Sequence, residues 1–203
     1  MIARAGARLV AAVAILLAPA MAVAQSVADC GARPAVAAAV DLTAANVRLD
    51  ESVFPPSSEG DARLTHAVGV WGAGEVPLDA RFALRVEIAR SRFPIQPAPG
   101  ATDAGAGDVS RSQFGGGLVV HPGGRRVCGH LALTAGWQRL SYAGVHASGL
   151  EIGGGVGVDM RTAERLFVFV EAGLAGAHNG SAPPVNAEIF FSARLLVGLR
   201  RTF

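Results

Sequence analysis

The stretch Asn186–Phe203, NAEIFFSARLLVGLRRTF, closes the chain and decides how the rest is read. Taken alternately, Ile189, Phe191, Ala193, Leu195, Val197, Leu199 and Phe203 fall on one face. Glu188, Ser192, Arg194, Gly198, Arg200 and Thr202 fall on the other, where Phe190 and Leu196 interrupt the polar set. Side chains along a strand alternate between two faces, so this is a strand with one apolar and one mostly polar side. Ordinary strands run about 5–6 residues; one this long suits a tilted crossing of a membrane.

The start of the chain agrees with its end. Arg4 and Arg8 precede the apolar run Leu9–Leu17, LVAAVAILL, and Pro19 leads into Ala22-Val23-Ala24. A basic region, an apolar core and an A-x-A site predict a secretory signal peptide over residues 1–24, cleaved before Gln25. The run falls short of the ~20 residues that a spanning helix needs. A lipid-attachment site needs a small residue before its cysteine, and Asp29 precedes Cys30. All 18 basic residues are arginine, and losing Arg4 and Arg8 leaves 16 against 16 acidic residues. A neutral chain gives no reason to expect a nucleic-acid partner.

Residues 25–203 are expected to form one domain. No apolar run in this part reaches 18 residues, which excludes spanning helices on length; a closed β-barrel is the other structure that satisfies every backbone polar group inside lipid. Its signature is a series of roughly ten-residue alternating segments separated by turn residues. Seven precede or include the closing pattern clearly. Leu166–Leu174, Leu150–Val158, Leu131–Trp137, Phe114–Val120 and Phe82–Ile88 each place apolar residues at alternate positions. Leu64, Val68 and Val70 do the same, with His66 as an irregular member, and the weakest segment is Val36–Asn46. Opposite these residues stand Asp41, Arg85, Glu87, His130, Thr134, Gln138, Glu151, Asp159, Glu171 and Arg194. Short links are expected at Gly72–Asp79, Pro122–Arg126 and Arg161–Arg165, and longer ones at Asp50–Asp61, Pro94–Ser110 and His178–Val185, with Ala143–Ala147 a brief exception among the latter. With Phe203 at the periplasmic edge, all three short links fall on the periplasmic side.

Signal peptide, eight alternating segments, alternating loop lengths and the terminal Phe203 together resemble the small eight-stranded bacterial outer-membrane β-barrels of the OmpA/OmpX type. Arg201 departs from that family's usual apolar or aromatic residue at its position. The resemblance implies an all-β, eight-stranded antiparallel transmembrane β-barrel in the bacterial cell outer membrane. It also implies that Phe203 belongs to the signal read by the barrel-insertion machinery. A soluble sandwich would alternate too. Charges recurring on one inward face, and outward Phe82, Phe203, Phe114, Trp137 and Phe191 at strand ends, favour the barrel. From Phe191 to Phe203 is about 40 Å of strand, or about 30 Å of height when tilted, against an apolar band of about 25 Å.

Eight strands enclose side chains rather than a wide channel, so the inward charges are expected to form a paired network. The functional reading is a non-enzymatic envelope protein contributing to structure, surface interaction or adhesion, its extracellular ligand unspecified. A narrow pore for small solutes is the alternative, and a lipid A-modifying hydrolase a third. The last reading rests on His146, Ser148 and Glu151, which have the residue types of a family of outer-membrane lipid A deacylases but lack the Asn that follows Ser there. No cofactor or metal is expected: two cysteines and dispersed histidines offer no ligand spacing. Cys30 and Cys128 are a disulfide candidate in an oxidising compartment, provided the N-terminal segment reaches across the barrel mouth. Arg48, Arg63, Arg90, Arg92, Arg111 and Arg139 cluster near the extracellular strand ends, with Arg63 and Arg111 expected to point inward. Arg90, Arg92 and Arg139 are therefore candidate contacts for lipopolysaccharide phosphates, which arginine binds through its planar fork. The alternative is exposed salt bridges, worth about 0–1 kcal/mol each, with the loop carboxylates Asp50, Glu51, Glu59, Asp61, Asp103 and Asp108. Deleting Phe203 is expected to lower outer-membrane yield at low expression and leave chain in the periplasm, as read by fractionation.

Overall fold

The computed structural model describes residues 32–48, 63–96, 108–122, 127–142, 145–179 and 189–203. Eight strands occupy them: β1 (Ala35–Arg48), β2 (Arg63–Pro77), β3 (Phe82–Gln96), β4 (Asp108–Val120), β5 (Val127–Tyr142), β6 (Val145–Ala163), β7 (Leu166–Asn179) and β8 (Ile189–Thr202). Each pairs antiparallel with its neighbours in sequence, and β8 returns to pair with β1, closing the barrel. The leader expected over residues 1–24 lies outside the described residues, as do Glu188 and the expected Asp50–Asp61 link.

The ladders fix how the barrel closes. Following aligned partners from Ala35 through Glu75, Arg85, Gly117, Thr134, Gly153, Ala175 and Ser192 returns to β1 at Ala45, ten residues along. With about 3.3 Å of rise per residue and about 4.8 Å between strands, that stagger corresponds to a tilt of about 40°. Several strands outrun the segments expected from alternation alone. Gly72–Pro77 continues β2 instead of forming a link, because Glu75 still points inward and Val76 outward. Likewise β6 runs to Ala163, leaving Glu164 and Arg165 as the turn.

At this end of the barrel, here the turn end, the connection after β2 is held by Asp79. Its Oδ1 accepts from the backbone N–H groups of Arg81 at 2.6 Å and Phe82 at 2.8 Å. Those two donors, with the Arg81 charge, hold the Asp79 carboxyl below the usual carboxylate range. The Phe203 N–H donates to the Pro34 carbonyl at 3.0 Å, so the last residue is tied to the start of β1.

Faces separate as alternation requires. Leu84, Val86 and Ile88 of β3, Leu133 and Trp137 of β5, Ile152 of β6, and Phe191, Val197 and Leu199 of β8 are all exposed on the outside. Between them most inward positions are buried, charged ones included, with Thr134 and Arg194 partly so. Phe190 and Leu196 look anomalous on the polar face of the last strand, yet both are fully buried inside the barrel. A surface this apolar around a charged interior is the inverse of a water-soluble domain and matches a lipid solvent. Replacing outward Leu84 or Val86 with Arg is expected to cost about 2–4 kcal/mol of folding free energy in a refolding titration. Replacing inward Ala83 with Ser should cost less; the reverse order would mean that the two faces are exchanged.

Candidate functional site

Inside the turn end lies a compact ion network. Arg85 of β3 spans the lumen, with Nη1 2.8 Å from Glu171 Oε2 of β7, and Nη2 2.9 Å from Glu75 Oε1 of β2. Arg200 of β8 places Nη2 2.5 Å from Glu75 Oε2 and Nη1 3.4 Å from Asp159 Oδ2. His130 completes the ring: Nδ1 lies 2.9 Å from Asp159 Oδ2 and Nε2 2.9 Å from Glu171 Oε2. Ionised carboxylates only accept, so contacts of this kind at both ring nitrogens are those of an imidazolium donating twice. Two guanidiniums and one imidazolium then balance three carboxylates.

Local sequence makes this reach possible. His130 on β5, Gly157 on β6 and Glu171 on β7 stand side by side in register. A Cβ at Gly157 would collide with the His130 imidazole, so only glycine lets the ring lie across β6 to meet Glu171.

A second polar tier sits midway. Trp71 donates from Nε1 to Glu87 Oε2 at 3.2 Å, and Gln113 Nε2 donates to Glu87 Oε1 at 3.3 Å. Arg194 reaches the same carboxylate at 3.6 Å. Trp71 also meets Phe169 edge-on, with ring centroids 5.8 Å apart. Nearer the other end, here the loop end, Arg111 pairs with Glu151 and donates from Nε to Gln138 Oε1 at 3.0 Å. Gln138 passes a further bond to Asn179 at 2.9 Å.

Above this tier the lumen is apolar. Ala45, Ala67, Phe93, Val109, Leu140, Ala147, Ala177 and Phe190 pack into one cluster, with Tyr142 against it. Phe93 and Phe190 meet at 6.0 Å, nearly perpendicular. Between the upper and lower networks, Thr134, Glu151, Glu171, Ser192 and Arg194 line a cavity of about 10 Å³, room for about one water. The apolar layer was not expected from sequence. Its signal was the inward parity of Phe93, Val109, Leu140 and Phe190 at the loop ends of four strands.

The candidate residues divide by face. Arg111 points inward as expected, and Arg90, Arg92 and Arg139 are exposed on the outside. The side chains of Arg48 and Arg63 lie outside the described residues. His146 and Ser148 face outward while Glu151 is buried inside on Arg111, so the suggested hydrolase constellation is not assembled. His146 Nδ1 instead lies 2.9 Å from Ser141 Oγ. Cys128 is buried at the turn end and is not a free thiol; Cys30 lies outside the described residues. Among the described residues no group of three or more His, Cys, Asp or Glu is placed to hold a metal ion.

No protein-family model matches the chain, and no curated relative matches it. Among solved structures it is similar to Neisserial surface protein A, at 16% identity and a TM-score of 0.50, over 83% of this chain and 99% of that one. It is also similar to outer membrane protein OprG from Pseudomonas aeruginosa, at 10% identity and 0.51, over 85% and 97%. Outer membrane protein AlkL in lipid bilayers matches at 13% and 0.50, over 88% and 93%. At such identities the likeness is one of fold: the chain is an eight-stranded barrel of the bacterial outer-membrane type.

Removing one partner from a buried ion network strands the others. Glu171→Ala, which leaves both Arg85 and His130 short of a carboxylate, is expected to cost about 3–5 kcal/mol in a urea refolding titration. A double-mutant cycle with His130→Ala should show strong coupling; additive losses would mean the two side chains do not meet.

Proposed function

We propose that this protein is a sealed, non-enzymatic barrel of the outer membrane, contributing to envelope structure and to contact with the surroundings through its extracellular end. The observation carrying this reading is the filled lumen. Charged side chains from β2, β3, β5, β6, β7 and β8 meet across the turn end, and the aromatic and aliphatic cluster closes the loop end. A conducting path would have to break paired buried charges, part the apolar layer, or both, and each costs free energy. A wall of this kind tolerates lipid outside and excludes solutes inside. The loop end is taken to face the exterior and the turn end the periplasm, where Phe203 would meet the insertion machinery.

The division of His146 and Ser148 from Glu151 between two faces, with no other nucleophile, base and acid assembled among the described residues, supports the non-enzymatic half of the reading. The test is planar-bilayer recording of the refolded protein. Wild type is expected to show no discrete open-channel steps, whereas Phe93→Gly/Phe190→Gly, which thins the apolar layer, should raise the leak. Stable unitary conductance in the wild type would overturn the sealed barrel in favour of the narrow pore.

A further inference from the structure

Register across β3–β6 builds a polar patch on the outward face at the loop end. One row runs Arg90–Ser112–Arg139–Ser148, and the next row toward the rim runs Arg92–Ser110–Ser141–His146. Immediately on the membrane side of the first row stand Phe114 and Trp137, paired in register and both exposed. Aromatic side chains of this kind mark the boundary between acyl chains and headgroups. The arginine rows are thereby set at headgroup depth.

Their spacing suits a multiply charged anion. Arg90 and Arg139 are two strands apart, or about 10 Å, and Arg92 lies about 7 Å along β3 from Arg90. Three guanidiniums thus share an area small enough for their side chains to converge. None of them pairs with a carboxylate among the described residues, and neither row contains one. Asp108, beside Pro94, stands one row further out. The hydroxyls of Ser112 and Ser148 fill the same row as Arg139. When Ser141 donates to His146 Nδ1 across their 2.9 Å contact, the ring keeps Nε2 as its donor. In that tautomer every group in the two rows is a cation or can donate a hydrogen bond, and none is an anion.

Two arginines at the opposite rim are differently occupied. Arg161 at the turn end donates to the backbone carbonyls of Ala163 and Glu164. Arg201 lies over the Phe203 ring at 5.6 Å. The loop-end set, without a carboxylate partner among the described residues, stands where an outer leaflet of phosphorylated glycolipid would meet the barrel.

We propose that the Arg90–Ser112–Arg139–Ser148 row, with Arg92 and His146 behind it, is a binding site for the phosphate groups of an outer-leaflet glycolipid, the lipid A part of lipopolysaccharide. Planar guanidinium forks and hydroxyl donors recognise phosphate oxygens by charge-assisted hydrogen bonds, while Phe114 and Trp137 lie against the first carbons of the acyl chains. This site rests on the outer-membrane placement proposed above, but not on the sealed lumen.

The experiment compares thermal unfolding midpoints in three bilayers: phosphatidylethanolamine alone, the same with lipid A, and the same with lipid A stripped of its phosphates. Wild type should gain stability with intact lipid A and lose most of that gain when the phosphates are removed. Arg90→Gln/Arg92→Gln/Arg139→Gln should lose most of the gain yet unfold near the wild-type midpoint in phosphatidylethanolamine. Arg201→Gln, with the same charge change at the other rim, should keep it. Should the triple variant not refold, Arg90→Gln and Arg139→Gln are each expected to lose part of the shift. Equal stabilisation by dephosphorylated lipid, or an undiminished gain in the arginine variants, would overturn the site. Channel activity in the bilayer recording would sink the sealed lumen and leave this shift intact, so the two failures are distinguishable.

Discussion

Nothing in the hydrocarbon core of a membrane replaces a missing backbone hydrogen bond, so a chain crossing it must supply every partner itself. Here the β1–β8 ladder, running from Ala35–Thr202 to Ala45–Ser192, removes the two free edges that an open eight-stranded sheet would present. Closure with a ten-residue stagger then dictates everything inside. It sets which side chains stand beside which: Arg85 meets Glu75, its register partner on β2, and reaches across the lumen to Glu171 on β7.

The interior answers the problem that closure creates. Inward positions hold charges that cannot reach bulk water, and an isolated buried charge is costly. The network relieves this by sharing: Glu75 accepts from Arg85 and Arg200, and Glu171 from Arg85 and His130. Such pairs are weak evidence for net stability, because their desolvation offsets much of the Coulomb gain. Their effect is to oppose any register in which one member lacks its partner. The apolar layer around Phe93 and Phe190 contributes by burial instead.

Much of this was legible because strand periodicity is simple. Period two placed Arg85, Glu87, Glu151, Asp159 and Glu171 inside, and Phe114, Trp137 and Phe191 outside, without reference to any partner. Alternation does not report where a strand stops, so Gly72–Pro77 reads as a link until its pairing with β3 is known. It also does not report which inward residues meet across the lumen. The contact of Arg85 with Glu171 joins residues 86 apart in sequence, and depends on the stagger, which no local pattern encodes. The triplet His146, Ser148 and Glu151 is not assembled for a related reason: its members are neighbours in sequence, but odd and even positions face different solvents.

The account turns on that division of faces, and the chain carries two tryptophans that probe it directly. Trp71 is 3% exposed and bonded to Glu87 inside the barrel, whereas Trp137 is 55% exposed on the outer surface. Fluorescence quenching by brominated lipid, measured on Trp71→Phe and Trp137→Phe variants, separates them. The account predicts strong quenching while Trp137 remains and little when Trp71 is the sole emitter. Comparable quenching of both, or quenching of Trp71 alone, would contradict it.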